Sequence, residues 1–297
     1  MDSREEAAAL VCLLSRPKAS WPTIADEVER AGSAIHVLRQ DGVGIQTDLL
    51  ASVGSAPEDD EMTAAQAALS GWEGEGIHVV TLLDPDYPQQ LLTIHQRPPL
   101  LTYRGQLSTS DAGGVAIVGT RKASSAGLDR AASIADGLAL RGVTVVSGLA
   151  AGIDTAAHTA ALAAGGRSVA VIGTGLNKTY PAENRALQET IGRDHLVLSQ
   201  FWPDSPPTKF SFPMRNAVMS GFAAATVVIE AEWKSGARMQ ARLALEHGRP
   251  VFLHESLLRH DWAQGYVTRG AVVVRTATDV LDQLAPRLAV ADELVWH

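Results

Sequence analysis

Three short runs of β-branched and small apolar residues, Val115–Gly119, Val143–Ser147 and Ser168–Gly173, begin 28 and 25 residues apart. No other feature constrains the chain as strongly, because that interval is the length of a strand, a loop, a helix and a return to a parallel neighbour. Similar runs occur at Ile77–Leu82, Leu100–Arg104, Leu196–Phe201, Thr226–Ala231, Pro250–His254 and Ala271–Arg275. Nine candidate strands alternating with helical spans predict an α/β fold with a doubly wound, mostly parallel sheet. Such sheets bind ligands at the carboxyl ends of their strands, so the loops after these runs are where function is sought.

Residues 4–15 and 22–39 instead show helical periodicity, with Ala7, Leu10, Val11 and Leu14 on one stripe and Ile24, Val28 and Ile35–Leu38 supplying others. Ser20 before Trp21-Pro22 reads as a helix start, since proline is tolerated in the first turn. A polar, turn-rich stretch from Asp41 to Pro57 follows. The acids of Pro57–Glu61 then suit the first turn of a helix running to Trp72. The expected organisation is a helical unit over 1–72, a sheet domain over 73–285 and a C-terminal tail over 286–297.

With 25 basic against 33 acidic residues the chain carries a formal charge of −8, which argues against coating nucleic acid by bulk charge. The distribution is uneven. Residues 1–114 hold 7 bases and 17 acids, 115–242 hold 13 and 9, and 243–297 hold 5 and 7, so the loop-bearing middle is positive. The single Cys12 can neither close an internal disulfide nor supply a cysteine-based zinc site, which fits a reducing cytoplasm. No apolar run reaches the roughly 18 residues of a membrane span, and acids stand at the start where a secretory signal carries bases. The expected location is the cytoplasm, with no membrane partner.

The first candidate loop, Gly119-Thr120-Arg121-Lys122-Ala123-Ser124-Ser125-Ala126-Gly127, sets hydroxyls and two bases before a helix. Free amides at a helix N-terminus and a planar guanidinium suit a phosphate oxygen. The second, Ser147-Gly148-Leu149-Ala150-Ala151-Gly152-Ile153-Asp154, allows close backbone approach and ends on an aspartate placed to cap a helix. The third, Gly173 to Asn184, adds Lys178, Tyr180, Asn177 and Asn184. Beyond them lies Trp202 to Asn216, whose four prolines argue for an extended segment. Its aromatics, interleaved with Lys209 and Arg215, suit stacking on the bases of a single strand while neutralising phosphates, and Phe210 and Phe212 serve equally well as core plugs.

Named nucleotide and catalytic motifs fail. Gly173-Thr174-Gly175 lacks the third glycine of a dinucleotide fingerprint, no P-loop ending occurs, and neither a nucleophile elbow nor a zincin motif is present. No cofactor, metal or catalytic residue is expected. Asp154 and His158, four apart on one helix face, read as a cap and a helix-surface histidine in preference to a shared metal or proton.

In order along the chain stand Asp84-Pro85-Asp86-Tyr87-Pro88-Gln89-Gln90-Leu91, Pro98-Pro99-Leu100-Leu101, Arg104-Gly105 and Ala116-Ile117-Val118-Gly119-Thr120-Arg121-Lys122. They are followed by Val146 to Asp154 with Ala157-His158, Val171 to Leu176 through Tyr180-Pro181-Ala182-Glu183-Asn184, and Phe212-Pro213-Met214-Arg215-Asn216 with Ser220-Gly221. Val228-Ile229-Glu230-Ala231 and Ser235-Gly236-Ala237 complete the series. This series resembles the bacterial DNA-processing protein family DprA, also called Smf, over about 84–255. The resemblance implies an extended Rossmann-like domain, a homodimer that binds single-stranded DNA without cofactor and loads the RecA recombinase in natural transformation or recombination. By position it implies phosphate contacts from Arg121 and Lys209, and stacking by Phe212. It further implies hydroxyl and amide contacts from Ser147 and Gly148, a brace formed by Arg215 and Asn216, and a DNA-facing surface that includes Gly119, Thr120, Lys122, Lys178 and Asn184.

Departures from the family pattern accompany the match. The N-terminal unit resembles the family's helical, SAM-like domain in place and size, but Leu14 to Ser20 lacks the Gly-x-Gly turn that would touch duplex DNA. The stretch Glu255 to Gly270 does not follow the pattern, and no winged-helix appendage is expected in the tail. Two alternatives remain: a paralogue acting in phage defence, and a nucleotide-processing or nucleotide-sensing protein resembling phosphoribohydrolases. In the second, Glu230 would be the base, although no oriented partner for it is evident.

Overall fold

The computed structural model describes residues 3–43 and 57–284. Most of the turn-rich stretch and the whole 286–297 tail lie outside the described residues. Four helices come first: α1 (Ser3–Ser15), α2 (Trp21–Ala31), α3 (Ala34–Val43) and α4 (Pro57–Gly74). The 22–39 periodicity is two helices, broken where Gly32 adopts φ 65° and donates its N–H to the Val28 carbonyl, a left-handed cap that suits glycine. Glu6, buried on α1, accepts from Ser33 Oγ at 2.7 Å, Ala34 N at 2.6 Å and Ile35 N at 3.2 Å, so a carboxylate satisfies the free amides that open α3.

All nine sequence runs form strands. In chain order these are β1 (His78–Thr81), the short helix α5 (Gln89–Leu92), β2 (Leu100–Gly105), β3 (Val115–Val118), α6 (Ser125–Ala139), β4 (Val145–Ser147), α7 (Ile153–Ala163) and β5 (Ser168–Val171). Then come α8 (Arg185–Asp194), β6 (Leu196–Ser199), α9 (Ser211–Phe222), β7 (Ala225–Val228), α10 (Gly236–Glu246), β8 (Val251–His254), α11 (Asp261–Val267) and β9 (Val272–Val274). They make one sheet in the order β1-β2-β6-β5-β4-β3-β7-β8-β9. From β6 to β9 every pairing is parallel, whereas β1–β2 and β2–β6 are antiparallel.

Every residue of β3 to β8 is buried, because helices cover both faces of the parallel part. That double burial is why these strands read as continuous apolar runs. The order reverses at β3: the chain moves one way through β4, β5 and β6, then returns to β7 on the other side of β3. A crevice opens at such a reversal, and the loops after β3, β4 and β7 meet there. The N-terminal helices pack on the sheet domain. Trp21 and Trp72 pack on Trp202 at centroid distances of 5.3 and 5.6 Å, and Arg97 pairs with Asp26 and Glu29 at 2.5 and 2.6 Å.

Gly152 locks two of the loops together. It has φ 79° and ψ −122°, and a Cβ there would stand 2.5 Å from the Thr120 carbonyl oxygen and 2.9 Å from that of Arg121. Replacing it by alanine combines a strained backbone with a steric clash, so Gly152→Ala is expected to cost at least about 1–3 kcal/mol. Urea unfolding of the two proteins measures this; equal midpoints and slopes would show that the loops are not locked here.

Candidate functional site

The loops after β3 and β7 and the first turns of α9 enclose a cavity of about 470 Å³. Gly119, Thr120, Arg121 and Lys122 form one wall, Phe212, Arg215, Asn216 and Met219 another, and Glu232, Lys234, Ser235 and Gly236 a third, with Asp154 beneath. The 202–216 segment is not extended throughout, as its prolines suggested. Helix α9 starts at Ser211 and carries Pro213 in its first turn, where a missing N–H costs nothing. Arg215 and Asn216 consequently line the cavity from a rigid helix.

The first loop is held by Glu230, just beyond the end of β7. Its carboxylate accepts from Ser124 N at 3.1 Å and Ser124 Oγ at 2.6 Å, while its carbonyl accepts from Thr120 N at 2.7 Å. Ser124 in turn caps α6 by accepting from Gly127 N at 3.0 Å. A Cβ on Gly127 would collide with the Glu230 carboxylate. Glu230 thus has partners after all, and their geometry makes it the tie that fixes the loop bearing Arg121.

Below the cavity floor lies a buried ionic core. The Arg215 guanidinium is buried and donates to the Gly148 carbonyl, to the Val171 carbonyl at 2.9 Å and to Asn216 Oδ1 at 2.9 Å. Asp154 accepts from Gly148 N at 3.2 Å and Ala150 N at 3.3 Å. Asp154 therefore pins the preceding loop, and Gly152 occupies the capping position expected of it. Burial raises the Asp154 pKa, and the positive charge of Arg215 opposes that shift. Burial also lowers the Arg215 pKa, with Asp154 opposing, yet a guanidinium does not deprotonate in proteins and remains cationic.

Several sequence-singled residues serve this frame and do not face the cavity. The Ser147 hydroxyl is buried and donates to the Ile117 carbonyl at 2.6 Å, and both polar groups of Gly148 are taken by Asp154 and Arg215. These groups are engaged within the frame, where the resemblance implied contacts to a ligand. Asn184, also buried, donates to the Leu149 carbonyl at 2.8 Å and Thr155 Oγ1 at 2.9 Å. Lys178 is exposed beside Asp204 at 3.7 Å, away from the cavity lining. His158 is not on the helix surface: it is fully buried and shares a 2.7 Å hydrogen bond with Ser168 Oγ. Among the described residues no cluster of potential metal ligands occurs, and no helix is long and apolar enough to cross a membrane.

At the mouth, polar and aromatic chemistry meet. Arg121 lies with its guanidinium carbon 4.8 Å from the Phe212 ring centroid and 5.6 Å from that of Tyr180, and the two rings are 5.4 Å apart. Gly173 makes room for Phe212, since a Cβ there would approach the ring edge at 2.9 Å. Phe210 is 67% exposed, so it does not plug the core, and Lys209 sits 4.9 Å from its centroid. Tyr180 was visible in the third loop only as one more ring. Lys234 carried no local signal, because its place on the wall follows from strand order.

The chain's likenesses can be set beside this geometry. Residues 78–285 match the family model described as DNA recombination-mediator protein A. The chain is 42% identical over 204 residues to DNA processing protein DprA of Streptococcus pneumoniae, a match covering 68% of this chain and 72% of that protein. Its fold is similar to the X-ray structure of DprA from Streptococcus pneumoniae, with a TM-score of 0.69 and 32% identity over 95% of this chain and 96% of the other. It is similar also to DNA processing protein A of Helicobacter pylori, at TM-score 0.62 and 27% identity over 70% and 96%. The latter structure is described for its single-stranded DNA binding mode.

Two outcomes follow from the buried frame. Arg215→Met takes the donor from the Gly148 and Val171 carbonyls and the compensating positive charge from the neighbourhood of buried Asp154, and is expected to destabilise by about 3–5 kcal/mol; an unchanged urea midpoint would show the guanidinium to be dispensable. Burial pushes the His158 pKa down to about 3. The unfolded chain therefore takes a proton that the native site refuses, and stability falls as pH drops from about 6.5 towards 3. Between pH 7 and pH 5 this one group accounts for about 2 kcal/mol. His158→Asn, unfolded in urea at both pH values, should show a pH dependence smaller by that amount; an identical dependence would place the proton elsewhere.

Proposed function

The chain belongs to the DNA recombination-mediator protein A family, and from that premise we propose that it binds single-stranded DNA in the cavity at the sheet reversal. The observation that carries this reading is the triad of Arg121, Phe212 and Tyr180 at the cavity mouth, where a cation and two rings stand within stacking distance of one another. Rings accept any base by their faces, and a guanidinium neutralises the adjoining phosphate, so the combination suits an unpaired strand. Bases of a duplex are stacked on each other and offer no such face.

Arg121 and Lys122 would take phosphates on the rigid loop tied to Glu230, and Lys209 would take another beyond Phe212. Gly119 and Thr120 lie along the same wall, and Arg215 with Asn216 braces it. The sheet domain over 73–285 is the DNA-binding unit in this reading, with the helical 1–72 unit buttressing the segment around Trp202. The local charge of +4 over 115–242 on a chain of −8 supports a confined site. The family description as a recombination mediator supports the wider reading: a cytoplasmic homodimer that delivers bound strands to the RecA recombinase in recombination or natural transformation, with no chemistry of its own and no cofactor.

Fluorescence anisotropy with matched single-stranded and duplex oligonucleotides tests this. Single strands are expected to bind more tightly than duplex, and Arg121→Ala with Lys209→Glu should flatten the salt dependence by about 0.7 log units per lost phosphate contact. Phe212→Ala is expected to cost about 1–3 kcal/mol of affinity. Equal binding of single and double strands, or a salt slope untouched by the two charge changes, would contradict the proposal.

A further inference from the structure

The loop between β7 and α10 reads Glu230-Ala231-Glu232-Trp233-Lys234-Ser235-Gly236, and in its middle stands an aromatic ring that the site so far leaves unused. Trp233 is 61% exposed, an unusual position for the largest apolar side chain. Its neighbours Glu232 and Lys234 line the cavity whereas Trp233 does not, so the indole stands outside the third wall. The loop follows β7, placing the ring on the same sheet edge as Arg121 and Phe212.

The ring is also held. The Arg238 guanidinium carbon lies 3.8 Å from its centroid, a close cation–π contact. Arg238 is positioned in turn by its place in α10 and by Tyr266, whose hydroxyl donates to the Arg238 carbonyl at 3.3 Å. Among the described residues the Arg238 guanidinium makes no ion pair, and neither does Lys234. The arrangement is an indole with one face covered by a cation and much of its surface open, flanked by a second free cation.

We infer that Trp233, backed by Arg238, is a second stacking platform for single-stranded DNA, engaging a base after the strand has crossed the cavity wall beside Lys234. The inference rests on the proposed binding of single strands and extends it by naming where the strand leaves. Arg238 has two consequences there: it fixes the ring before the strand arrives, which removes ordering cost from binding, and it sets a positive charge beside the phosphate of the stacked nucleotide. Glu232 and Lys234 straddle the ring, so the phosphates would follow the lysine side of the loop. The platform is sequence-tolerant, because any base presents a π-face.

The experiment compares the full chain with Trp233→Phe, Trp233→Ala and Arg238→Gln, using an oligothymidylate of about twelve nucleotides, a length within single-strand site sizes. Anisotropy reads affinity, tryptophan emission reads stacking, and sedimentation reads mass. Circular dichroism first establishes that the variants fold, which the exposure of the ring favours. Wild-type emission is expected to be quenched on binding, with Trp233→Phe losing most of the quench while keeping affinity within about threefold. Trp233→Ala is expected to bind about tenfold more weakly, equivalent to about 1.4 kcal/mol, and Arg238→Gln to weaken binding several-fold. All four proteins should have the same mass.

Wild-type binding with Trp233→Ala unchanged in both affinity and quench would overturn the platform and leave the proposed function standing. A change in mass with affinity retained would overturn it in favour of a contact between protein chains. Failure of the wild-type protein to bind any single strand would overturn the proposed function itself, and the platform with it.

Discussion

The buried guanidinium of Arg215 is the contact on which the candidate site depends. A cation removed from water needs several compensating partners, and here they are the carbonyls of Gly148 and Val171, the side chain of Asn216 and the nearby charge of Asp154. Each partner belongs to a different piece of the sheet edge. Gly148 is in the loop after β4, Val171 ends β5, Asn216 is on α9, and Asp154 is on α7. One planar group with five donors thereby fixes the relative position of four segments, a role that lysine's single ammonium cannot fill. The cavity floor is rigid because its charge is satisfied internally, which leaves Arg121, Lys122 and Lys234 at the rim to meet a ligand.

This division of labour changes how the charge balance reads. A net −8 disfavours nucleic acid only if charge acts over the whole surface. In this fold the acids gather in the first 114 residues, where several are spent on structure: Glu6 caps a helix, and Asp26 and Glu29 hold Arg97. The cations that matter stand on loops at one sheet edge. Salt screens such charges over about 8 Å at physiological ionic strength, so local placement outweighs the total.

The sheet was legible because burial on both faces leaves apolar runs that no other element produces at that spacing. Each of the nine runs read from the sequence contains a strand, with β2 and β7 overrunning theirs by one residue, and the loops after β3, β4 and β7 line the cavity. The helical register of the site was less legible. Pro213 read as a breaker because composition does not distinguish a proline in the first turn from one in the middle of a helix. In sequence Ser147, Gly148 and Asn184 read as ligand contacts, because a hydroxyl or amide that binds a ligand and one that binds its own loop are the same residue there. Only the distances to Ile117, Arg215 and Leu149 separate the two roles. The same blindness hid His158 in the core, and it hid the partners of Glu230, since Ser124 lies 106 residues earlier in the chain, on the loop after β3.

The central claim is that one strand edge, rigid beneath and cationic and aromatic above, receives the bases of an unpaired strand. Photocrosslinking addresses it most directly: a single-stranded oligonucleotide carrying 5-iododeoxyuridine is irradiated on the protein and the attached peptides are located by mass spectrometry. The account expects attachment at the rings of the cavity mouth, Phe212 and Tyr180, and at Trp233 beyond it, in preference to the other aromatic residues of the chain. Attachment confined to the N-terminal helices, or spread evenly over exposed rings, would contradict it.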